Sequence, residues 1–459
     1  MDYGTYQFQN LIELLGSPLG LVLLMSGAAT AIGVFVVRPA KWAVLVLLLF
    51  VANMAAYNLT TQRPLITPFD QMRTYGRSLA GAFLALLLLP ALVAPRGYRQ
   101  RIASAGAVAL LVFQLILTVR LALAGDDVRW LGLVLFPLTF VVLHVGAGKW
   151  VQTSADLHTL IAAVAMGGLI MAGGTAMQVA ADASAVAHQG RLFGLTGNAN
   201  HVGALFAMTL VPTCYLIARP GARTWARLWW GAAAGLAAVF VLWTGSRTSA
   251  LMATVGLAVL FRAKLGRLLL TAVLAGTGVL VFLSFYEQGA DMAERLLWTK
   301  NTRAAGWAAM WATFLANPLI GAPADPGASE SSFLFVAALA GLVGLVPLFV
   351  ALGLIARDLL GVFQSRRELG SDAFAADLVM ACFVMVIAGA FFEGYLAGFI
   401  SFPVYFLYLL LTIGSYLRDR IDAVRVPAVG LASGGNGYDD GMGGGPYEGL
   451  AHPAPGGRT

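Results

Sequence analysis

Three short polar stretches carry the residues of this chain that could act on an anionic substrate. The first contains Arg191, and the second is Thr244-Gly-Ser-Arg247-Thr-Ser249, which stands between two apolar runs. The third begins with Asn317-Pro-Leu-Ile-Gly321 and ends with Ser329-Glu330-Ser331-Ser332. Arginine holds phosphate oxygens with a planar, permanently charged fork, and a glutamate can take a proton from a hydroxyl. Two arginines and a carboxylate suit a substrate with a diphosphate leaving group and a hydroxyl acceptor.

The asparagines of the first stretch point to a helix start. Asn198 and Asn200 precede an apolar segment, and Asn200 is predicted to be the N-cap of the helix that follows. Free backbone N–H groups at a helix start also favour an anion. Capping alone is an equally good explanation for both asparagines.

Each charged residue also has an ordinary structural explanation. Arg191 could be an interfacial arginine whose head group reaches the water. Arg247 could pair with a carboxylate such as Glu393 and hold two helices together. Glu330 could complement the dipole of the following helix. The functional interpretation rests on the three stretches taken together.

The composition excludes a soluble protein. Of 459 residues, 59% are hydrophobic and 11% are charged, whereas soluble domains carry about 25% charged residues. This excludes a soluble enzyme, a nucleic-acid binder and a disordered scaffold. The net charge of +7 comes from basic residues scattered among apolar runs, so it indicates membrane topology. Cys214 and Cys382 lie in apolar stretches, and neither shows the spacing of a metal ligand.

The elements that must position these residues are membrane helices, each of about 20 mostly apolar residues. We predict an all-α polytopic membrane domain over residues 1–417 and a disordered, Gly-rich cytoplasmic tail over 418–459. We count 13 candidate membrane spans, or 12 if the pair around Thr244–Ser249, or the turn near Leu396, forms one kinked or re-entrant helix. The 13 candidate spans are 18–37, 41–59, 77–94, 102–123, 130–148, 157–181, 201–218, 228–244, 248–261, 268–286, 332–356, 374–395 and 398–417.

The distribution of Lys and Arg predicts which side each loop faces. One set of loops, together with the tail, holds 19 of the 29 basic residues, and the opposite set holds nine. The richer set is expected in the cytoplasm, with the N-terminus outside and the C-terminus inside. All three polar stretches then face outward. The one long loop, 287–331, also lies outside, and its stretch 291–316 is predicted to form an amphipathic helix at the membrane surface.

The order of these motifs resembles the O-antigen ligase and polysaccharide polymerase family. The similarity covers about residues 185–350 and rests on R-L-F-G…N-A-N-H-V-G, then L-W-T-G-S-R-T-S-A-L, then T-R-A-A-G-W…N-P-L-I-G…S-E-S-S-F-L. The resemblance implies a membrane glycosyltransferase of the C type with a periplasmic active site. Such enzymes move a glycan from an undecaprenyl-diphosphate carrier to an acceptor.

The resemblance also assigns roles to individual residues. Arg191 and Arg247 match the family's two diphosphate-contacting arginines. Arg303, in Arg303-Ala-Ala-Gly-Trp307, matches the arginine before the family's Trp-containing loop helix. Glu330 falls where many ligases have a histidine as the suspected base, and an acidic residue there is more similar to the exopolysaccharide polymerases.

These matches lead to a mechanistic hypothesis without cofactor or metal. Arg191 and Arg247 hold the lipid diphosphate, Arg303 steers the loop, and Glu330 activates the acceptor hydroxyl. Metal dependence is not expected, because the chain has no Asp-x-Asp motif. Four further residues are expected to contact the substrate, namely Asn198, Asn200, Trp307 and Ser331.

The expected location is the bacterial inner membrane. The expected partners are the lipid bilayer, an undecaprenyl-diphosphate-linked oligosaccharide, a glycan or lipid A–core acceptor and a chain-length regulator, with no nucleic acid. Polymerisation of O-antigen or exopolysaccharide repeat units ranks first. Ligation to lipid A–core, protein glycosylation and transport of a polysaccharide or lipid follow as alternatives.

Overall fold

A computed structural model of the chain shows a bundle of apolar helices. The structure describes residues 33, 37, 39–55, 64–95, 103–123, 130–188, 190–264, 303–322, 330–398 and 401–432. Eight helical runs in these ranges are long and apolar enough to cross a membrane. The prediction of an all-α, multi-pass membrane protein is therefore confirmed at this coarse level. The predicted spans 18–37 and 268–286 fall largely or wholly outside the described residues.

The described ranges contain thirteen α-helices, one two-stranded hairpin and several short 3-10 and π-helical segments. The helices are α1 (Ala40–Ala55), α2 (Phe69–Val93), α3 (Ala105–Leu123), α4 (Gly132–Phe140), α5 (Ala147–Trp150), α6 (Ser154–Asp182), α7 (Ala199–Ala218), α8 (Thr224–Trp243), α9 (Arg247–Leu260), α10 (Ala304–Ala316), α11 (Ser332–Gln364), α12 (Ala373–Ala390) and α13 (Phe402–Ala432). A π-helical segment, Val141–Gly146, joins α4 to α5. Strands β1 (Ala187–His188) and β2 (Arg191–Leu192) pair antiparallel between α6 and α7.

The helix α7 lies at the centre of the part that carries the polar stretches. Most of its residues are buried, and it packs against α6, α8, α9 and α12. Helix α9 has 14 residues, which at 1.5 Å per residue is too short to cross the roughly 30 Å hydrocarbon core alone. The segment predicted as the span 248–261 is thus a short helix packed on longer ones.

The long helix α11 is interrupted at Gly341. This residue has a φ of 57°, a backbone conformation that other residues adopt only with strain. The segment 317–322 fills the break. Leu342 N–H donates to the Pro318 carbonyl at 2.8 Å, and Val343 N–H donates to the Leu319 carbonyl at 3.1 Å. The backbone N–H groups that lose their helical partners at the break therefore bond to carbonyls of the segment 317–322, as apolar surroundings require.

Arg120 on α3 also bonds to the segment 317–322. Its Nε donates to the Ile320 carbonyl at 2.7 Å, and its Nη2 donates to the carbonyls of Gly321 at 3.3 Å and Ala322 at 2.6 Å. A charged side chain inside an apolar helix is costly unless its donors are used. Arg120 thus fastens the segment that links α10 to α11.

The last helix extends further than the sequence suggested. The prediction of a disordered tail from residue 418 is wrong for its first part, because α13 continues through Arg418 to Ala432. Arg418 forms an ion pair with Asp358 on α11 at 2.8 Å, and Arg425 pairs with Glu368 at 2.7 Å. These contacts tie residues beyond the apolar part of α13 to the helical bundle. Residues 433–459 lie outside the described ranges.

Candidate functional site

Arg191 is held by two neighbouring polar stretches. It lies on β2, half-buried, where its Nε donates to the Thr244 carbonyl at 2.9 Å and its Nη2 donates to Asn200 Oδ1 at 3.2 Å. Two bonds at different edges of a planar guanidinium fix the orientation of that plane. The first two sequence-predicted stretches are therefore brought together around Arg191.

Asn198 and Asn200 have different roles in this arrangement. Asn198 is the N-cap of α7, because its Oδ1 accepts from the N–H of Asn200 at 2.9 Å and of His201 at 3.3 Å. The prediction that Asn200 caps this helix is wrong. The N-cap lies two residues earlier, which leaves the Asn200 side chain available to orient Arg191.

The second stretch forms a tight turn between α8 and α9. Gly245 has a φ of 58°, and Ser246 caps α9 by accepting from the Ser249 N–H at 3.3 Å. Arg247 is the first residue of α9 and is exposed. Next to it, the buried Thr248 accepts a hydrogen bond from Arg303 at 2.9 Å.

Arg303 connects three elements of the site. It stands at the start of α10, where its Nη1 donates to Thr248 Oγ1 on α9 and its Nη2 forms an ion pair with Glu393 Oε1 at 2.5 Å. The predicted helix 291–316 is thus observed as α10 over its second part, and 291–302 lies outside the described residues.

Glu393 is the residue that the sequence interpretation did not assign to the site. It lies in the turn after α12 and is 5% exposed. The sequence predicts Glu393 only as a partner for Arg247, whereas the structure pairs it with Arg303. An acidic residue inside the predicted span 374–395 was the available signal, because ionisable groups within apolar segments are usually functional.

Glu330 lies against the first turns of α10. A methyl group built on Gly306 would come within 2.5 Å of Glu330 Oε2, so the carboxylate occupies the space that a side chain there would need. The Glu330 carbonyl accepts from Trp307 Nε1 at 3.2 Å. Within the described part of the chain, Glu330 Oε2 is buried without a hydrogen-bond partner. A buried carboxylate oxygen without a partner has capacity to accept a proton from a bound group.

The serines after Glu330 fix the start of α11. Ser331 caps the helix by accepting from the Leu334 N–H at 3.4 Å. Ser332 Oγ donates to the Glu393 carbonyl at 2.6 Å and accepts from the Leu396 N–H at 3.2 Å. These bonds hold the backbone beside Glu330 against the turn that carries Glu393.

Four charged side chains form what we call the charged cluster, namely Arg191, Arg303, Glu330 and Glu393. Burial raises the pKa of the Glu393 carboxyl to about 7. The positive charges of Arg303 and Arg191 oppose this rise, and the negative charge of Glu330 adds to it. Arg191, Arg303 and Glu330 are thus each close enough to influence the charge of Glu393. Near neutral pH, Glu393 is poised between its charged and neutral forms.

An apolar groove of about 650 Å³ adjoins the charged cluster. Its lining comes from α9, α10, α11 and α12 and includes Trp307, Ser331, Leu334, Val384, Ile387 and Phe392. Trp307 and Phe392 line the groove and also contact residues of the charged cluster. Trp307 Nε1 donates to the Glu330 carbonyl, and the Phe392 ring lies 5.8 Å from the Arg303 guanidinium. The groove therefore borders the charged cluster through these two aromatic side chains.

No protein-family model matches this chain, and no curated protein matches it.

Proposed function

We propose that the protein is a membrane glycosyltransferase that moves a glycan from a polyprenyl diphosphate to an acceptor hydroxyl. The observation that carries this proposal is the junction of the charged cluster with the apolar groove. A polyprenyl-diphosphate glycan has the same two parts, an apolar chain and an anionic head group, joined at the reacting bond. The resemblance of residues 185–350 to O-antigen ligases and polymerases supports the same substrate class, and the mostly helical, multi-pass fold is compatible with it.

Three residues of the charged cluster share the reaction with Arg247, which is not a member of the cluster. Arg191, with its guanidinium plane fixed, and Arg247, at the start of α9, neutralise the charge that develops on the leaving diphosphate. Glu330 takes the proton from the acceptor hydroxyl as that oxygen attacks the anomeric carbon. Arg303 is a positioning residue, because it ties α10 and its contact with Glu330 to α9 and to Glu393.

We propose polymerisation of O-antigen or exopolysaccharide repeat units, at the periplasmic face of a bacterial inner membrane. The residue at the position of the ligase histidine is Glu330, which favours the polymerase branch over ligation to lipid A–core. Deletion of the gene separates the two reactions. A lost polymerase leaves single repeat units on the surface, whereas a lost ligase leaves full-length chains on the carrier lipid.

Transport of a lipid-linked glycan is the second candidate, and the break in α11 favours it. Interrupted helices in transporters leave backbone groups for the substrate or a coupling ion. Here the freed groups of α11 bond to segment 317–322. Because the protein's own segment 317–322 occupies the break, we rank transport below glycosyl transfer.

A reconstitution experiment tests transfer against transport. The purified full chain, in lipid nanodiscs with EDTA present, is given a synthetic polyprenyl-diphosphate oligosaccharide. Nanodiscs have no closed compartment and hold no gradient, so only an enzyme can act. We expect longer lipid-linked glycans in the mass spectrum. Unchanged substrate, together with gradient-dependent movement in sealed vesicles, would establish the transporter instead.

We expect the transfer rate to rise with pH around neutrality. The Glu393 carboxyl, with its pKa raised to about 7, is mostly neutral at pH 6 and mostly ionised at pH 8, so the ion pair with Arg303 is completed as pH rises. The ionised fraction, and with it the rate, should grow by about tenfold over this range. The variant Glu393→Gln should be slow and lack the rise. The control Glu368→Gln, which breaks an ion pair with Arg425, should keep it.

A flat pH profile for the native chain would contradict this role of Glu393. So would a Glu393→Gln variant that retains the native profile, because the titrating group would then lie elsewhere.

A further inference from the structure

A second charged cleft lies far from the charged cluster, toward the other end of α11. We call it the inner cleft. It has a volume of about 100 Å³ and lies between the start of α3, the second half of α11 and the middle of α13. Arg357 is 25 positions after Ser332 in α11, on the other side of the break at Gly341. The Lys and Arg bias predicts that this end faces the cytoplasm.

The inner cleft has an excess of positive charge held in a fixed arrangement. Asp358 Oδ1 accepts from Arg418 Nη1 at 2.8 Å and from Arg357 Nη2 at 3.2 Å. The Asp358 side chain is 11% exposed, whereas those of Arg418 and Arg357 are 38% and 65% exposed. One buried carboxylate therefore orients two guanidinium groups that remain open to solvent. Each guanidinium has five N–H donors, and its bond to Asp358 uses one of them.

Hydroxyl groups and apolar side chains complete the lining of the inner cleft. Ser104 and Ser415 contribute the hydroxyls, and Leu359 and Leu411 contribute apolar surface. The backbone of Ser104 is fixed, because its N–H donates to His144 Nε2 at 3.1 Å. The volume has room for a phosphate group or a few water molecules. Donors from four side chains around a space of this size match the oxygens of a phosphate.

We propose that the inner cleft binds the phosphate group of an anionic membrane lipid. Basic pockets between membrane helices on the cytoplasmic side are typical sites for lipid head groups. Because the cleft lies between three apolar helices, the head group can enter while its acyl chains stay in the bilayer. Inorganic phosphate shares the recognised chemistry but has no acyl chains, so an experiment can separate the two sources. This proposal is independent of the proposed glycosyl transfer.

The test measures lipid binding to the purified full chain by native mass spectrometry in detergent. Phosphatidylglycerol is titrated against the native protein, Arg418→Gln and Asp358→Asn. Loss of one basic group should weaken binding by about fivefold, and loss of the opposing carboxylate should strengthen it by a similar factor. Both variants break the same ion pair, so opposite effects on affinity exclude a shared folding defect as the cause. The exposed Arg227→Gln on α8 is the matched control and should leave the affinity unchanged.

Two outcomes would overturn the proposal. In the first, the two cleft variants bind phosphatidylglycerol as the native chain and the control do. In the second, inorganic phosphate fills the cleft and shows the same response to the variants, while phosphatidylglycerol and neutral phosphatidylcholine bind equally. That second result would assign the cleft to a free anion.

Discussion

Replacing Arg191 with lysine is expected to reduce the rate of glycan transfer by about 10²-fold, and replacing it with alanine by up to about 10³-fold. Lysine keeps the charge but cannot make the two bonds, to the Thr244 carbonyl and to Asn200 Oδ1, that fix the guanidinium plane. The remaining charge would be mobile and would contact the leaving diphosphate through one point instead of a fork. The measurement is the initial rate of glycan lengthening on a polyprenyl-diphosphate substrate.

The matched control for this prediction is Arg73→Lys. Arg73 is also predicted on the outer face, and it pairs with Asp70 at 2.8 Å at the start of α2. A general requirement for arginine rather than lysine at that face would slow both variants equally. A near-native rate for Arg191→Lys would show that the charge alone suffices, and a near-native rate for Arg191→Ala would remove Arg191 from the site.

The second large effect is expected for Glu330→Gln, with a loss of about 10²- to 10⁴-fold in transfer rate. Glutamine has the same shape but cannot accept the proton of the acceptor hydroxyl. The native carboxylate has a buried oxygen without a hydrogen-bond partner among the described residues. Because glutamine fills the same space, and this position already lacks a hydrogen-bond partner among the described residues, the variant should melt at about the same temperature as the native chain. A lower rate at unchanged stability would identify a chemical role.

Gly306→Ala tests the position of the same carboxylate without changing its charge. The added methyl group would come within 2.5 Å of Glu330 Oε2, so the carboxylate must move by about 1 Å, a displacement that can cost about 10²-fold in rate. Alanine favours a helix over glycine, so α10 itself should gain stability. The control is Gly353→Ala in α11, where an added methyl group meets no atom of the described residues within 4 Å. Equal rates for the two alanine variants would contradict the placement of Glu330 in the reaction.

The proposed mechanism separates the binding of the leaving group from the activation of the acceptor. Arg191 and Asn200 come from the β-hairpin and the start of α7, whereas Arg303 lies at the start of α10 and Glu330 lies just before α11. Variants of Arg191 and variants of Glu330 should therefore lose different activities. Loss of Arg191 should impair every use of the lipid diphosphate, including hydrolysis by water, while loss of Glu330 should impair transfer to a hydroxyl more strongly.

The amino-acid sequence by itself determined the membrane class and the residues most worth testing. Hydropathy is a local property and the bilayer fixes the length of a crossing helix, so apolar runs such as 201–218 could be recognised without any knowledge of packing. For the same reason, Arg247, which interrupts two apolar runs, stood out against its neighbours.

The tertiary structure decided which of these residues meet. Arg191 bonds to a carbonyl 53 positions away, Arg303 to a carboxylate 90 positions away, and Arg120 to a carbonyl 200 positions away. Such pairings depend on how helices pack side by side, and hydropathy carries no information about neighbours across the bundle. The filled break at Gly341 belongs to the same class, because a glycine in an apolar run looks locally like any other helical residue. Glu393 therefore became part of the charged cluster only when the turn after α12 met the start of α10.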